Sequence, residues 1–171
     1  MRKIVALIAL VSPIVLAPLA FGAGDPDATF YKKATEGGIF EVETGQQAEK
    51  TSNNQKIKDF ASMLVNDHTQ ANEKLKSLAD SKGLSVPTSP GVGLEAEKAK
   101  LDVLTGDTYD KSFVETQIKA HEKTIALFQK EAESGQDPEA KAFATETLPT
   151  LHKHLKAARV IAKENGWSTT K

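Results

Sequence analysis

Three of the four histidines in this chain, and one of its glutamates, fall where a helix is expected to bury leucine. Written in heptads, the helical segments give four inward stripes. The first is Phe30, Ala34, Gly37, Glu41, Gly45 and Ala48. The second is Ile57, Ala61, Leu64, His68, Ala71, Leu75 and Leu78. The third is Phe113 or Val114, then Gln117, His121, Ile125 and Phe128. The fourth is Ala140, Ala144, Thr147, Leu151, His154, Ala158 and Ile161. Each stripe carries one ligand-type side chain: Glu41, His68, His121 and His154. Burying such groups is costly unless something pairs them. Four of them in one bundle make either a metal site or a closed hydrogen-bond network. As a metal site, three imidazoles and a carboxylate suit Zn²⁺ or another late divalent ion at about 2.0–2.2 Å from each donor. A di-iron centre is disfavoured, because it wants a Glu-x-x-His on each of two helices. The residues three before the histidines are Val65, Ile118 and Leu151.

Neighbouring polar residues take plainer readings. Asp67 and Glu122 read as charges on solvated faces. His152 lies roughly 160° around the helix from His154 and faces solvent. Tyr109 and Phe113 read as core, and the lysine pairs Lys56/Lys58 and Lys74/Lys76 as solvated surface. Gly37-Gly38 costs about 1 kcal/mol per glycine against alanine inside a helix. Close helix packing near Glu41 or room for a ligand would explain that choice.

Four long helices must position these groups. The first spans residues 27–50 and opens at Asp25, Pro26 and Asp27. The second spans 55–82, with Ser52 or Asn53 as its cap and Gly83 as its stop. Residues 84–93 are irregular, with Pro87, Pro90, Gly91 and Gly93, and lead into a short amphipathic helix at 94–104. The third long helix starts with Asp107 or Thr108 as cap and ends near Ser134. The fourth starts at Asp137-Pro138, ends at Gly166, and contains Pro149, which should bend it. Residues 167–171 are expected to fray, although Trp167 could dock on the bundle end. Two tight connections and one long one are the loop pattern of a ferritin-like four-helix bundle whose middle link crosses from end to end. In that topology the four polar residues lie on the order of ten residues from one end, with a height spread of roughly 10 Å.

Residues 1–22 read as a signal peptide. Arg2 and Lys3 precede an apolar run broken by Ser12, Pro13 and Pro18, and Ala20-Phe21-Gly22 supplies the cleavage motif. Residues 23–171 then form one domain. The run is short of the ~20 residues of a membrane span, so no stable membrane anchor is expected after cleavage. The chain has no cysteine, hence no disulfide, thiolate ligand or lipid-attachment site. An export signal without a disulfide framework suits a bacterial periplasm. Losing Arg2 and Lys3 lowers the formal charge by two, from -1 to -3. With both signs interspersed and no basic stripe, nucleic acid is not an expected partner.

Several stretches together resemble the DUF4142 family of exported bacterial ferritin-like proteins. They are Phe30-Tyr31-Lys32-Lys33-Ala34 with Gly37-Gly38-Ile39-Phe40-Glu41, then Phe60-Ala61-Ser62-Met63-Leu64-Val65-Asn66-Asp67-His68-Thr69. Ala120-His121-Glu122-Lys123-Thr124 and Leu148-Pro149-Thr150-Leu151-His152-Lys153-His154-Leu155 complete the set. The resemblance implies the bundle fold and places the family's usual polar positions at Glu41, Asp67, His68, Asp110, His121 and His154. One departure is visible: the family's Phe-Asp-x-x-Tyr reads Tyr109-Asp110-Lys111-Ser112-Phe113 here. Members are often labelled outer-membrane proteins, but this chain has neither barrel strands nor a lipid anchor.

Three functions compete on these grounds. The leading one is an exported bundle that binds a divalent metal, zinc before other ions, or carries a buried Glu/His cluster, in an accessory or stress-related role. The second is a non-catalytic interaction module with a metal-free polar core, whose outer face or 84–107 crossover binds an unknown protein partner. The third is an enzyme using metal-bound water; no open nucleophile supports it, and fold alone is no evidence of chemistry.

Overall fold

A computed structural model describes residues 26–167; the expected signal peptide lies outside them. The described chain is all helix and connection: α1 Pro26–Thr51, α2 Gln55–Ser81, α3 Val92–Asp102, α4 Gly106–Ser134 and α5 Pro138–Glu164.

The helix ends follow local chemistry, with some shifts from expectation. Ser52 and Asn53 do not cap α2. Asn54 does, its side chain accepting from Lys56 N at 3.0 Å, while buried Ser52 Oγ accepts from Asn54 N at 3.1 Å. Gly83 ends α2 at φ +68°, where Leu84 N reaches back to Ala79 O at 2.9 Å. The short α3 begins two residues earlier than expected, after Gly91 at φ +80°. Neither Asp107 nor Thr108 caps α4; Thr105 occupies the cap position without a side-chain bond. Asp137 caps α5, accepting from Glu139 N at 3.0 Å, with Pro138 in the first turn. α5 runs on through Pro149. Trp167 is not frayed: its N–H bonds Ala162 O at 2.8 Å and its ring packs on the core.

The end-to-end contacts establish the topology. Tyr31 near the start of α1 bonds Asp137 at the start of α5, and Phe30 packs on Phe128 near the end of α4. Lys82 at the end of α2 pairs with Asp137 at 3.0 Å. Lys56 at the start of α2 pairs with Glu164 at the end of α5. Thus α1 with α2, and α4 with α5, form antiparallel hairpins. The α2–α4 connection, carrying α3, must run the length of the bundle, which is the ferritin-like crossover. Lys98 of α3 approaches Glu43 of α1 at 3.8 Å along this path.

Apolar layers fill the two ends of the core. Phe30, Phe128 and Phe143 meet edge-on or tilted near the start of α1, with ring centroids 5.0–6.4 Å apart. Near the start of α4, Tyr109 stacks on Phe113, which meets Phe60. Between these layers lie His68, His121 and His154. Phe40 and Thr44 are also fully buried, because α1 packs against both α2 and α4 and so presents a wider inner face than one stripe.

Candidate metal centre

The three histidines come from three helices, and each is buried: His68 of α2, His121 of α4 and His154 of α5. Their ring centroids are 5.3–5.6 Å apart. One ring nitrogen from each lies within 4.8 Å of the others. Inside that set, His121 Nε2 and His154 Nδ1 are 3.3 Å apart.

The outer ring nitrogens are committed elsewhere. His121 Nδ1 is 2.9 Å from the Gln117 carbonyl oxygen, which can only accept, so that nitrogen carries its proton. His154 Nε2 is 2.9 Å from Asp67 Oδ2, and as a partner of a carboxylate it donates too. In neutral imidazoles both inner nitrogens then present lone pairs to each other. Facing lone pairs need a cation or an added proton between them. Donation of the outer N–H to a carbonyl and a carboxylate is the arrangement that orients metal-ligating histidines. A tetrahedral ion with bonds of about 2.0–2.1 Å separates its donors by roughly 3.3 Å. The third histidine, His68, has a buried Nε2 without a partner.

Electrostatics keeps these rings neutral. Burial pushes His121 down to about 4, helped by nearby His154 and opposed by the Gln117 carbonyl. Burial, then His121 and His154, hold His68 well below the ordinary value. Burial lowers His154 as well, against the pull of Asp67. Neutral imidazoles are the form that binds metal.

Glu41 lies next to the triad, not inside it. Its Oε1 is 3.8 Å from His121 Nδ1, the outward nitrogen, and its Oε2 is buried without a partner. Burial raises its pKa to about 8, with the Gln117 side chain opposing. Gln117 Nε2 donates to Thr44 Oγ1 at 3.1 Å, and Thr44 donates to Phe40 O at 2.8 Å. This chain fixes the turn of α4 that holds His121.

Asp67 corrects the sequence reading. It is no free surface charge: its side chain is only 26 % exposed and orients His154 across the α2–α5 seam. The signal lay in the family's polar positions, not in the heptads, because residues 67 and 68 lie about 100° apart on the helix. Glu122 does face solvent, paired with Arg159, and His152 is exposed. Asp110 is buried but stands eleven residues from His121, about 16 Å along α4. Tyr109 and Phe113 are core residues, and the buried Tyr109 hydroxyl has no partner. The exchange of aromatic types moves a hydroxyl one helical turn further from the histidines.

The comparisons agree with this architecture. The crystal structure of a DUF305 protein from Streptomyces coelicolor, described as secreted, superposes with a TM-score of 0.75. The two sequences are 14 % identical, and the match covers 88 % of this chain and 98 % of that one. At that identity the likeness speaks for the fold alone. No curated protein matches the sequence. Residues 18–161, which include all three histidines, Glu41 and Asp67, match the family described as Domain of unknown function (DUF4142). The chain belongs to the DUF4142 family.

Proposed function

We propose that this protein is an exported metal-binding accessory protein that holds one divalent ion, zinc before other ions, at mid-bundle. His68, His121 and His154 supply the ligands. Glu41 is the fourth polar group, acting on the ion or on a water bound to it. The observation that carries this reading is the pair of facing nitrogens on His121 and His154 at 3.3 Å, each with its outer nitrogen bonded to an acceptor. A metal-free network would need an extra proton there, in a place where burial lowers the affinity of both rings for it.

Charge supports a dication. A cation among three neutral imidazoles would offset the burial that raises Glu41 to about 8, with the Asp67 carboxyl already bonded to His154. A di-iron pair would want more carboxylates than these two. The apolar run of residues 1–22 supports export, and periplasmic residence extends the same reading. Among the described residues no helix is long and apolar enough to cross a membrane.

The test is calorimetric titration of untagged, chelator-stripped protein with zinc, beside His68→Ala. The wild type should bind one equivalent, and the variant should lose at least a hundredfold in affinity. In chelator, His68→Ala should cost only the cavity and orphaned partners, about 1–3 kcal/mol. With zinc at a hundred times its wild-type Kd, the gap should widen by about 2.3–2.7 kcal/mol, because ligand binding adds to native stability. An equal cost with and without zinc would support the metal-free interaction module instead.

A further inference from the structure

Gly37 and Gly38 sit side by side in the middle of α1, and their surroundings differ. A methyl group on Gly38 would run into the Asn72 side chain, so packing against α2 accounts for that glycine. A methyl group on Gly37 would meet nothing nearer than Thr124 Oγ1 at 3.9 Å. Glycine at 37 therefore weakens the helix without any steric need. The space it leaves belongs to a cavity of about 20 Å³, whose wall also includes Glu41, His68, Asn72 and Thr124. That is room for about one water, and such a site needs two to four polar partners. Glu41 Oε2 and His68 Nε2 are both buried and both without partners. Their residues are 3 % and 7 % exposed. Outside this cavity, an open groove of about 250 Å³ between α2 and α5 is lined by Asp67, Gln70, Lys74 and Glu146. Ala71, Phe143 and Thr147 border both spaces, so solvent stands one layer of side chains away.

We propose that the tri-histidine centre is an open one. Its fourth position takes a small exogenous ligand, a water or an anion of two or three atoms, whose donor atom sits in the cavity that Gly37 keeps free, hydrogen-bonded to Glu41. The inference rests on the metal reading above. It makes Glu41 the partner of the bound ligand, not a fourth protein donor. It also distinguishes this site from a structural one, in which four protein donors close the shell.

The test uses the mature protein loaded with Co²⁺, whose visible bands report coordination, and azide as the probe. Wild type should show the intense bands of low-coordinate Co²⁺ and a saturable shift on adding azide. Gly37→Ala should fold at least as stably, keep the cobalt bands, and bind azide at least tenfold more weakly. Ala71→Val fills the same space from α2 and should give the same result independently. Absence of cobalt bands in the wild type would remove the tri-histidine reading itself. Bands that ignore azide would leave that reading standing and overturn the open position. Equal azide affinity in wild type and both filled variants would overturn the cavity as the ligand's seat.

Discussion

At the scale of single residues, the site is a set of neutral groups held where ionisation is costly. Glu41 has a folded pKa of about 8 against an ordinary 4.5. The native state therefore binds more protons than the unfolded chain between those values, and stability falls as pH rises through them. His121 works in the opposite sense. Its folded value of about 4 against 6.5 makes the unfolded chain the better proton binder, so stability rises with pH across that window. Glu131, raised to about 7 by burial and then by nearby Asp27, adds to the Glu41 slope chiefly below that pH. Between pH 7 and 8 Glu41 carries most of the slope of the three. Metal-free wild type in chelator should lose about 1 kcal/mol of unfolding free energy across that unit. Glu41→Gln should lose about 1 kcal/mol less than the wild type across the same unit. Denaturant melts at pH 7 and 8 check this, and parallel slopes for the two proteins would refute it. The histidines were legible in the sequence because an imidazole on a leucine stripe breaks the helical pattern. Asp67 was legible only through the family resemblance, because an aspartate beside the stripe looks like surface until α5 closes over it.

Helix by helix, the glycines and caps show which surfaces must come close. A Cβ on Gly45 would stand 2.8 Å from Val65 Cγ2 and 3.2 Å from the Ala61 carbonyl oxygen on α2. The carbonyl belongs to a helix backbone and cannot swing aside. Gly45→Ala gains about 1 kcal/mol of helix propensity but forces the α1–α2 hairpin apart, at a typical overpacking cost of about 1–3 kcal/mol. Net destabilisation of about 1 kcal/mol is expected in chelator, read as a lower denaturant midpoint at unchanged m-value. A more stable variant would contradict that packing. The four long helices were legible from periodicity and from Asp137-Pro138, Gly83 and Gly166 as start and stop signals. The caps of α2 and α4 were less so. In Ser52-Asn53-Asn54 three adjacent residues can each cap, and only the buried Ser52 hydroxyl, which supports Asn54, decides among them.

Across the whole molecule, the crossover brings the three histidines to one height. A simple up-down-up-down chain would reverse α4 and α5 relative to α1 and α2 and would place other residues opposite His68. Loop lengths made the crossover legible: the α2–α4 link alone can span a helix, and its α3 segment lies along α1 and α4. The common height of the histidines was not legible to better than about 10 Å, because counting residues fixes neither helix stagger nor tilt. The aromatic layers on either side leave the histidines and Glu41 buried between them, so the groups there must satisfy one another or bind something. X-ray absorption at the zinc edge, on untagged mature protein holding one equivalent of zinc, measures that outcome most directly. Nitrogen and oxygen neighbours are expected at about 2.0–2.1 Å with the outer-shell scattering of three imidazoles, falling to two in His154→Ala. Zinc surrounded by oxygen with no imidazole pattern, or a chain that retains no zinc at all, would contradict it.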